Sequence, residues 1–381
     1  MGTDRDPSPR PPVGPLARAV LSLFAAPRLN MLEDYPKVRR IQRQLASLPV
    51  QRYRALDRQI MADDGTHPIP VRIFEPRQRR RDDVLLFFHG GGWVTGDIDS
   101  YTPACTTMAD LTGSVVASVD YRLAPEHPFP AGLQDCYQVA HLLLDDPHRA
   151  GVPDAGRIVL VGDSAGANLA AVVSLLLRDR GERGADHQIL LYPVTHWDHD
   201  PATSPFPSVR EHGRDYRLTD SEVQDYFELY CPDPAQRRSP LVAPLMATDL
   251  SRQPTTLVVT AELDLLRDEG EAYGSALREA GNTVAIDRVP AALHGFITLP
   301  RFARPLREGY EVINDFLDGP AAGADADAGT APDGGTAPGA GTAPDGGTAP
   351  GAGTAPDGGT APGAGTAPDS GSGAGSGSEQ S

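Results

Sequence analysis

The chain has 381 residues, 40% of them apolar, with 34 basic against 51 acidic side chains and a net charge of -17. Seven of the acids and none of the bases lie from Pro320 onward, which leaves 34 basic against 44 acidic residues before it. So acidic a surface repels phosphate backbones and anionic headgroups and excludes nucleic acid or an anionic membrane as the main partner. The cysteines, Cys105, Cys136 and Cys231, are odd in number and lack CxxC spacing, which argues against a disulfide framework or zinc site and for a reducing compartment.

Residues 1–15 are rich in proline and charge and have no periodicity, so they are expected to be disordered. From Leu16 to Leu48 apolar residues recur at three-to-four-residue intervals, with Val38, Ile41, Leu45 and Leu48 on one predicted helical face. The segment Leu16–Ala26 is apolar enough to resemble a secretory signal core, but Arg18 interrupts it and Pro27-Arg28 stand where cleavage needs small residues. We read it as an amphipathic surface helix of a cytoplasmic chain. No stretch reaches the roughly 18 uninterrupted apolar residues that cross a bilayer.

After Ile69 the pattern becomes short apolar runs separated by helical stretches. Strands are predicted at Val71–Phe74, Val84–Phe88, Val115–Val119, Ile158–Val161, Ile189–Tyr192, Leu257–Thr260 and Val284–Val289. Helices are predicted at Ala131–Leu144, Ala165–Arg178 and Asp268–Ala280. Continuously apolar strands between helices imply an α/β protein with a mostly parallel sheet covered on both faces. Between His196 and Pro254 only one clear helix is predicted, about Thr219–Tyr230, among proline-rich turns, and this insertion reads as a lid. We therefore divide the chain into an α/β domain over 16–318, with a helical cap from about 16–60 and 196–253, and a tail over 319–381. The tail repeats Thr-Ala-Pro every six residues from Thr330 to Thr366, has no apolar surface to offset ordering entropy, and is expected to be disordered.

Gly162-Asp163-Ser164-Ala165-Gly166 fits GxSxG and falls between a predicted strand and a predicted helix. In that context it reads as a nucleophile elbow, a tight turn that presents the Ser164 hydroxyl. His89-Gly90-Gly91-Gly92-Trp93 follows the strand Val84–Phe88. Its glycines let the backbone approach an oxyanion closely, so Gly91 and Gly92, with Gly90 in support, are assigned to an oxyanion hole alongside the N–H of Ala165. A phosphate-binding loop is the alternative, but the run lacks GxGxxG spacing. A base should follow a late strand, and His294 fits, whereas His187, His196, His199 and His212 fall too early or inside the insertion. The orienting acid should end a strand; among Glu262, Asp264 and Asp268, Asp264 is chosen, because Asp268 suits the first turn of the next helix.

With Tyr121–His127, Glu262-Leu263-Asp264, Arg267-Asp268-Glu269 and His294-Gly295-Phe296 added, the chain resembles the hormone-sensitive lipase family of bacterial esterases over roughly residues 35–318. The resemblance implies an α/β-hydrolase fold, a Ser164, Asp264, His294 triad, an oxyanion hole at Gly91, Gly92 and Ala165, and a cap built from the N-terminus. It departs at Leu265, where the family usually has proline, which suggests a looser acid loop. The expected activity is hydrolysis of short-to-medium acyl esters, including acetyl esters, of small molecules, with no organic cofactor and no metal. A ligand-binding protein on the same scaffold is the rival reading.

Overall fold

Strands form where β-branched and aromatic residues run without interruption, and the computed structural model describes them within residues 30–46, 54–149, 151–152, 155–214 and 216–319. In chain order the strands are β1 (Ala55–Met61), β2 (Pro68–Phe74), β3 (Val84–Phe88), β4 (Val115–Val119), β5 (Ile158–Asp163), β6 (His187–Leu191), β7 (Thr255–Leu263) and β8 (Val284–Leu293). The helices are α1 (Met31–Ala46), α2 (Thr102–Thr112), α3 (Ala131–Asp145), α4 (Ala165–Asp179), α5 (Pro207–His212), α6 (Asp220–Tyr230), α7 (Arg267–Glu279) and α8 (Arg304–Leu317).

The eight strands make one sheet in the order β1-β2-β4-β3-β5-β6-β7-β8. Pairing is antiparallel from β1 through β2 to β4 and parallel from β4 to β8. Successive residues of a strand face opposite sides. Leu86 and Phe88 of β3 thus join the core beneath α3 and α4, whereas Leu85 and Phe87 join that beneath α2 and α8. Every residue of β3, β4 and β5 is buried, as a doubly covered sheet requires.

Four elements were not in the predicted set: β1, α2, α5 and α8. β1 falls inside the stretch given to the cap, yet it pairs along its length with β2 and belongs to the sheet. It was hidden because it is an edge strand with one buried residue, Ile60, and no apolar run. The predicted apolar face of α1 is also revised. Ile41 is 55% exposed, and the inward face carries Met31, Tyr35, Arg39 and Gln42 instead. The expectations for residues 1–29, Leu48 and the repeat tail lie outside the described residues, as does the side chain of Leu45.

Helix α1 and helix α6 meet above the ends of β3 and β5. The N–H of Met31 donates to Asp225 Oδ2 at 2.9 Å, and α6 packs Phe227 and Tyr230 against Trp93, with Tyr230 stacked at 4.3 Å. Thr219 caps α6 with a reciprocal bond to Glu222, which fixes where the helix starts. Among the described residues no helix is long and apolar enough to cross a membrane.

Candidate active site

Sheet register does the first part of the positioning. Phe88 pairs with Gly162, so the glycine run leaves β3 beside Asp163 and Ser164. Leu263 pairs with Leu293 after a register shift at Ala261, so Asp264 and His294 leave the sheet side by side.

Ser164 sits at φ 55, ψ -119, a region that non-glycine residues avoid and that costs about 1–3 kcal/mol. The surroundings enforce it. Its N–H donates to Leu191 O at 2.9 Å, and its carbonyl accepts from Asn168 N at 3.1 Å. A side chain on Gly162 would meet the Gly166 carbonyl at 2.2 Å, and one on Gly166 would meet the Phe88 carbonyl at 1.9 Å. Both glycines of the motif are thus required by backbone crossing over backbone.

Ser164 Oγ lies 2.9 Å from His294 Nε2, and His294 Nδ1 lies 2.7 Å from Asp264 Oδ2. Asp264 is 1% exposed, and its other oxygen accepts from Leu266 N at 3.1 Å. With Nδ1–H donated to the carboxylate, Nε2 is left to accept the serine proton. Tyr192 supports the imidazole edge-on at 4.8 Å. Leu265 is fully buried, and its carbonyl accepts from Ser208 Oγ at 2.7 Å, so this loop is held without the proline of the resembled family.

The rival side chains have other partners. Glu262 accepts from Ala291 N at 2.6 Å, and Asp268 binds Arg267 and the Ser208 N–H. His199 bonds Glu269 at 2.7 Å, the same carboxylate accepts the His196 N–H, and His212 bonds Arg267. His187 sits at the start of β6, at the far end of the sheet from Ser164.

The glycine run divides its tasks differently from the sequence expectation. The Gly90 N–H donates to Asp163 Oδ1 at 2.7 Å, so it is not a donor for the hole. The N–H groups of Gly91, Gly92 and Ala165 donate to no acceptor among the described residues. Gly91 at φ +115 and Gly92 at φ +62 adopt conformations that a side chain would strain, and a Cβ on Gly92 would strike the ring of Tyr226.

Asp163 and Tyr226 are the site residues that sequence reasoning missed. Asp163 is buried, with Tyr101 and Tyr192 hydroxyls at 3.2 and 3.4 Å from Oδ2. Burial pushes its carboxyl up to about 6, against the Gly90 amide and the two phenols that draw it down. An acid inside GxSxG next to an apolar strand was the available signal. Among the described residues no group of three or more His, Cys, Asp or Glu is placed to hold a metal ion.

The sheet order, the elbow after β5 and the paired loops after β7 and β8 define an α/β-hydrolase. Residues 85–298 match the family described as alpha/beta hydrolase fold. The chain is 33% identical to the ethyl acetate hydrolase of Pseudomonas putida over 68% of its length and 81% of that enzyme's. It is 34% identical to the carboxylesterase NlhH of Mycobacterium tuberculosis over 76% of its length and 90% of that enzyme's. Among solved structures, the hyperthermophilic esterase of Pyrobaculum calidifontis superposes with a TM-score of 0.68 at 34% identity, covering 80% of this chain and 98% of that one. The chain belongs to the hormone-sensitive lipase-like family of α/β-hydrolases and is a carboxylic ester hydrolase.

Proposed function

We propose that this esterase cleaves short-to-medium acyl esters of small molecules, acetyl esters among them, through a Ser164, His294, Asp264 triad and an acyl-enzyme. His294 Nε2 takes the Ser164 proton as Oγ attacks the ester carbonyl. The oxyanion is held by the N–H groups of Gly91, Gly92 and Ala165, each aimed from a backbone that cannot relax away. His294 returns the proton to the leaving alkoxide, then takes one from the water that attacks the acyl-enzyme and passes it to Ser164 Oγ as the acid leaves. Asp264 holds the imidazole in the tautomer both half-reactions need.

The observation that carries the reading is the unbroken chain of two hydrogen bonds, 2.9 and 2.7 Å, from Ser164 through His294 to Asp264. The preference for short acyl groups is supported by Tyr226, whose ring lies against Gly92 and narrows the space beside the acyl carbonyl. The Pseudomonas putida relative named for ethyl acetate points the same way. Helix α1 and the segment 196–253 form the cap over that space.

The test is turnover of p-nitrophenyl acetate, butyrate and octanoate by the wild-type chain and by Ser164→Ala. Wild type is expected to hydrolyse acetate and butyrate with higher kcat/KM than octanoate, and Ser164→Ala to lose about 10⁴-fold or more. Equal turnover by both proteins would leave a binding protein on a hydrolase scaffold as the reading.

A further inference from the structure

Helix α1 has little apolar anchorage. Among its described side chains only Met31 is fully buried, Leu32 and Ile41 are exposed at 39% and 55%, and Pro36 lies inside it. A 16-residue helix of this kind is not stable by itself, so directional contacts must hold it in place.

Those contacts converge on two adjoining loops, 94–97 and 124–126, which the Ala124 N–H links through Trp93 O. Arg39, its side chain 15% exposed, donates from Nε to Val94 O at 2.6 Å and from Nη2 to Ala124 O at 2.7 Å. A two-pronged pair with Glu126, at 2.8 and 3.0 Å, fixes the guanidinium plane. Three residues on, Gln42 Oε1 accepts from Gly96 N at 3.1 Å, and Arg43 bonds Asp97 at 3.0 Å. Val94 to Asp97 follow the glycine run after Trp93. The Val94 and Thr95 N–H groups both donate to Gly91 O, at 3.1 and 2.8 Å, and so set the peptide plane between Gly91 and Gly92. The turn that Arg39 grips by its Val94 carbonyl is therefore the turn that aims the Gly92 N–H.

We propose that Arg39 is a positioning residue that makes the aim of the Gly92 amide depend on docking of α1. The inference rests on the reading of that amide as an oxyanion donor. It assigns the N-terminal helix an effect on kcat, because a loosened turn weakens contacts made in the transition state while leaving the entry of substrate unchanged.

Arg39→Ala and Arg39→Lys test it, with Ser164→Ala alongside. Lysine keeps the charge but cannot span Val94, Ala124 and Glu126 in one plane. The expected result is a kcat for p-nitrophenyl acetate lowered about tenfold in Arg39→Lys and further in Arg39→Ala, with KM changed less than about twofold; loss of a whole donor costs ~10²–10³. The Ki of a trifluoromethyl ketone, which forms a tetrahedral adduct, is expected to rise in step with the fall in kcat/KM. Unchanged kcat in Arg39→Lys, or a rise in KM alone, overturns the proposal, as does a lowered thermal midpoint with kcat and Ki intact. If Arg39→Ala does not fold, Arg39→Lys decides by the same readouts. Full turnover by Ser164→Ala would instead sink the triad reading.

Discussion

Asp163 precedes Ser164, the proposed nucleophile, and holds the glycine run beside it. Its Oδ1 fixes the Gly90 amide, and a Cβ on Gly90 would lie 2.6 Å from its Oδ2, so only glycine fits this contact. The sequence could not separate this task from the oxyanion hole, because three consecutive glycines look alike until one N–H is seen to be taken. Titration gives a test. The folded carboxyl is raised from 3.8 to about 6 by burial, so the native chain holds this proton more tightly than the unfolded chain. Below about pH 4 both states are protonated and the contribution is intact. As pH rises from about 4 to 6 the unfolded state ionises first, and stability falls by on the order of 2–3 kcal/mol, then stays level. Asp163→Asn removes this slope, so urea unfolding across that range should show the variant gaining on wild type by that amount. A constant difference would show that Asp163 does not titrate as described. Asparagine still offers Gly90 an acceptor, so kcat should stay within about tenfold of wild type.

The elements were legible where one face or both faces are apolar, and illegible where they are held by polar contacts. β3, β4 and β5 are buried throughout and mostly apolar, and their predicted starts are those of the structure. β1 reads as polar because five of its first residues are exposed, and α1 was read with the wrong face inward because its docking surface is arginine and glutamine. Of the insertion, α6 was predicted at about Thr219–Tyr230, while the six-residue α5 was too short to show a period. What no periodicity could reveal is that α6 lays Tyr226 on Gly92. That packing predicts a contrast between two glycines with similar dihedrals. Gly92 has φ +62 with the Tyr226 ring in the way of a Cβ, whereas Gly65 has φ +69 and nothing within 4 Å. Both replacements by alanine strain the backbone by about 1 kcal/mol. Only Gly92→Ala should also displace the ring and the oxyanion loop, with a loss of about 10²-fold or more in kcat. Gly65→Ala should keep wild-type kcat. Comparable turnover in the two variants would mean that Tyr226 yields freely and that the cap does not set the loop.

At the scale of the whole molecule, order along the chain carried most of the information. Glycine run, serine elbow, acid and histidine each follow a strand, and the sheet brings those four ends together because its parallel strands all finish at one edge. The edge that carries the site was therefore readable from motif and order, while the polar bonds by which α1 docks above it were not. Helix α8 closes the described fold. Helix α8 buries Leu306, Tyr310, Ile313 and Leu317 against the sheet, and its last turn is tied down by Arg157 to Leu317 O at 2.8 Å and by Arg81 to Asp318 at 2.6 Å. A chain ending at Gly319 keeps every one of these contacts and loses seven acids and no base. Its kcat/KM should stay within about twofold of the full chain and its thermal midpoint within about 2 °C, since stability resides in burial and pairing that the cut leaves intact. A chain ending before Tyr310 loses three of the four buried α8 side chains, each contributing about 1.5–3 kcal/mol, which is enough to unfold a domain of ordinary stability. Calorimetry of the two truncations decides the matter. If ending at Gly319 lowered the midpoint as far as ending before Tyr310, the repeat segment would have to contribute to the fold, and the boundary drawn at the end of α8 would be wrong.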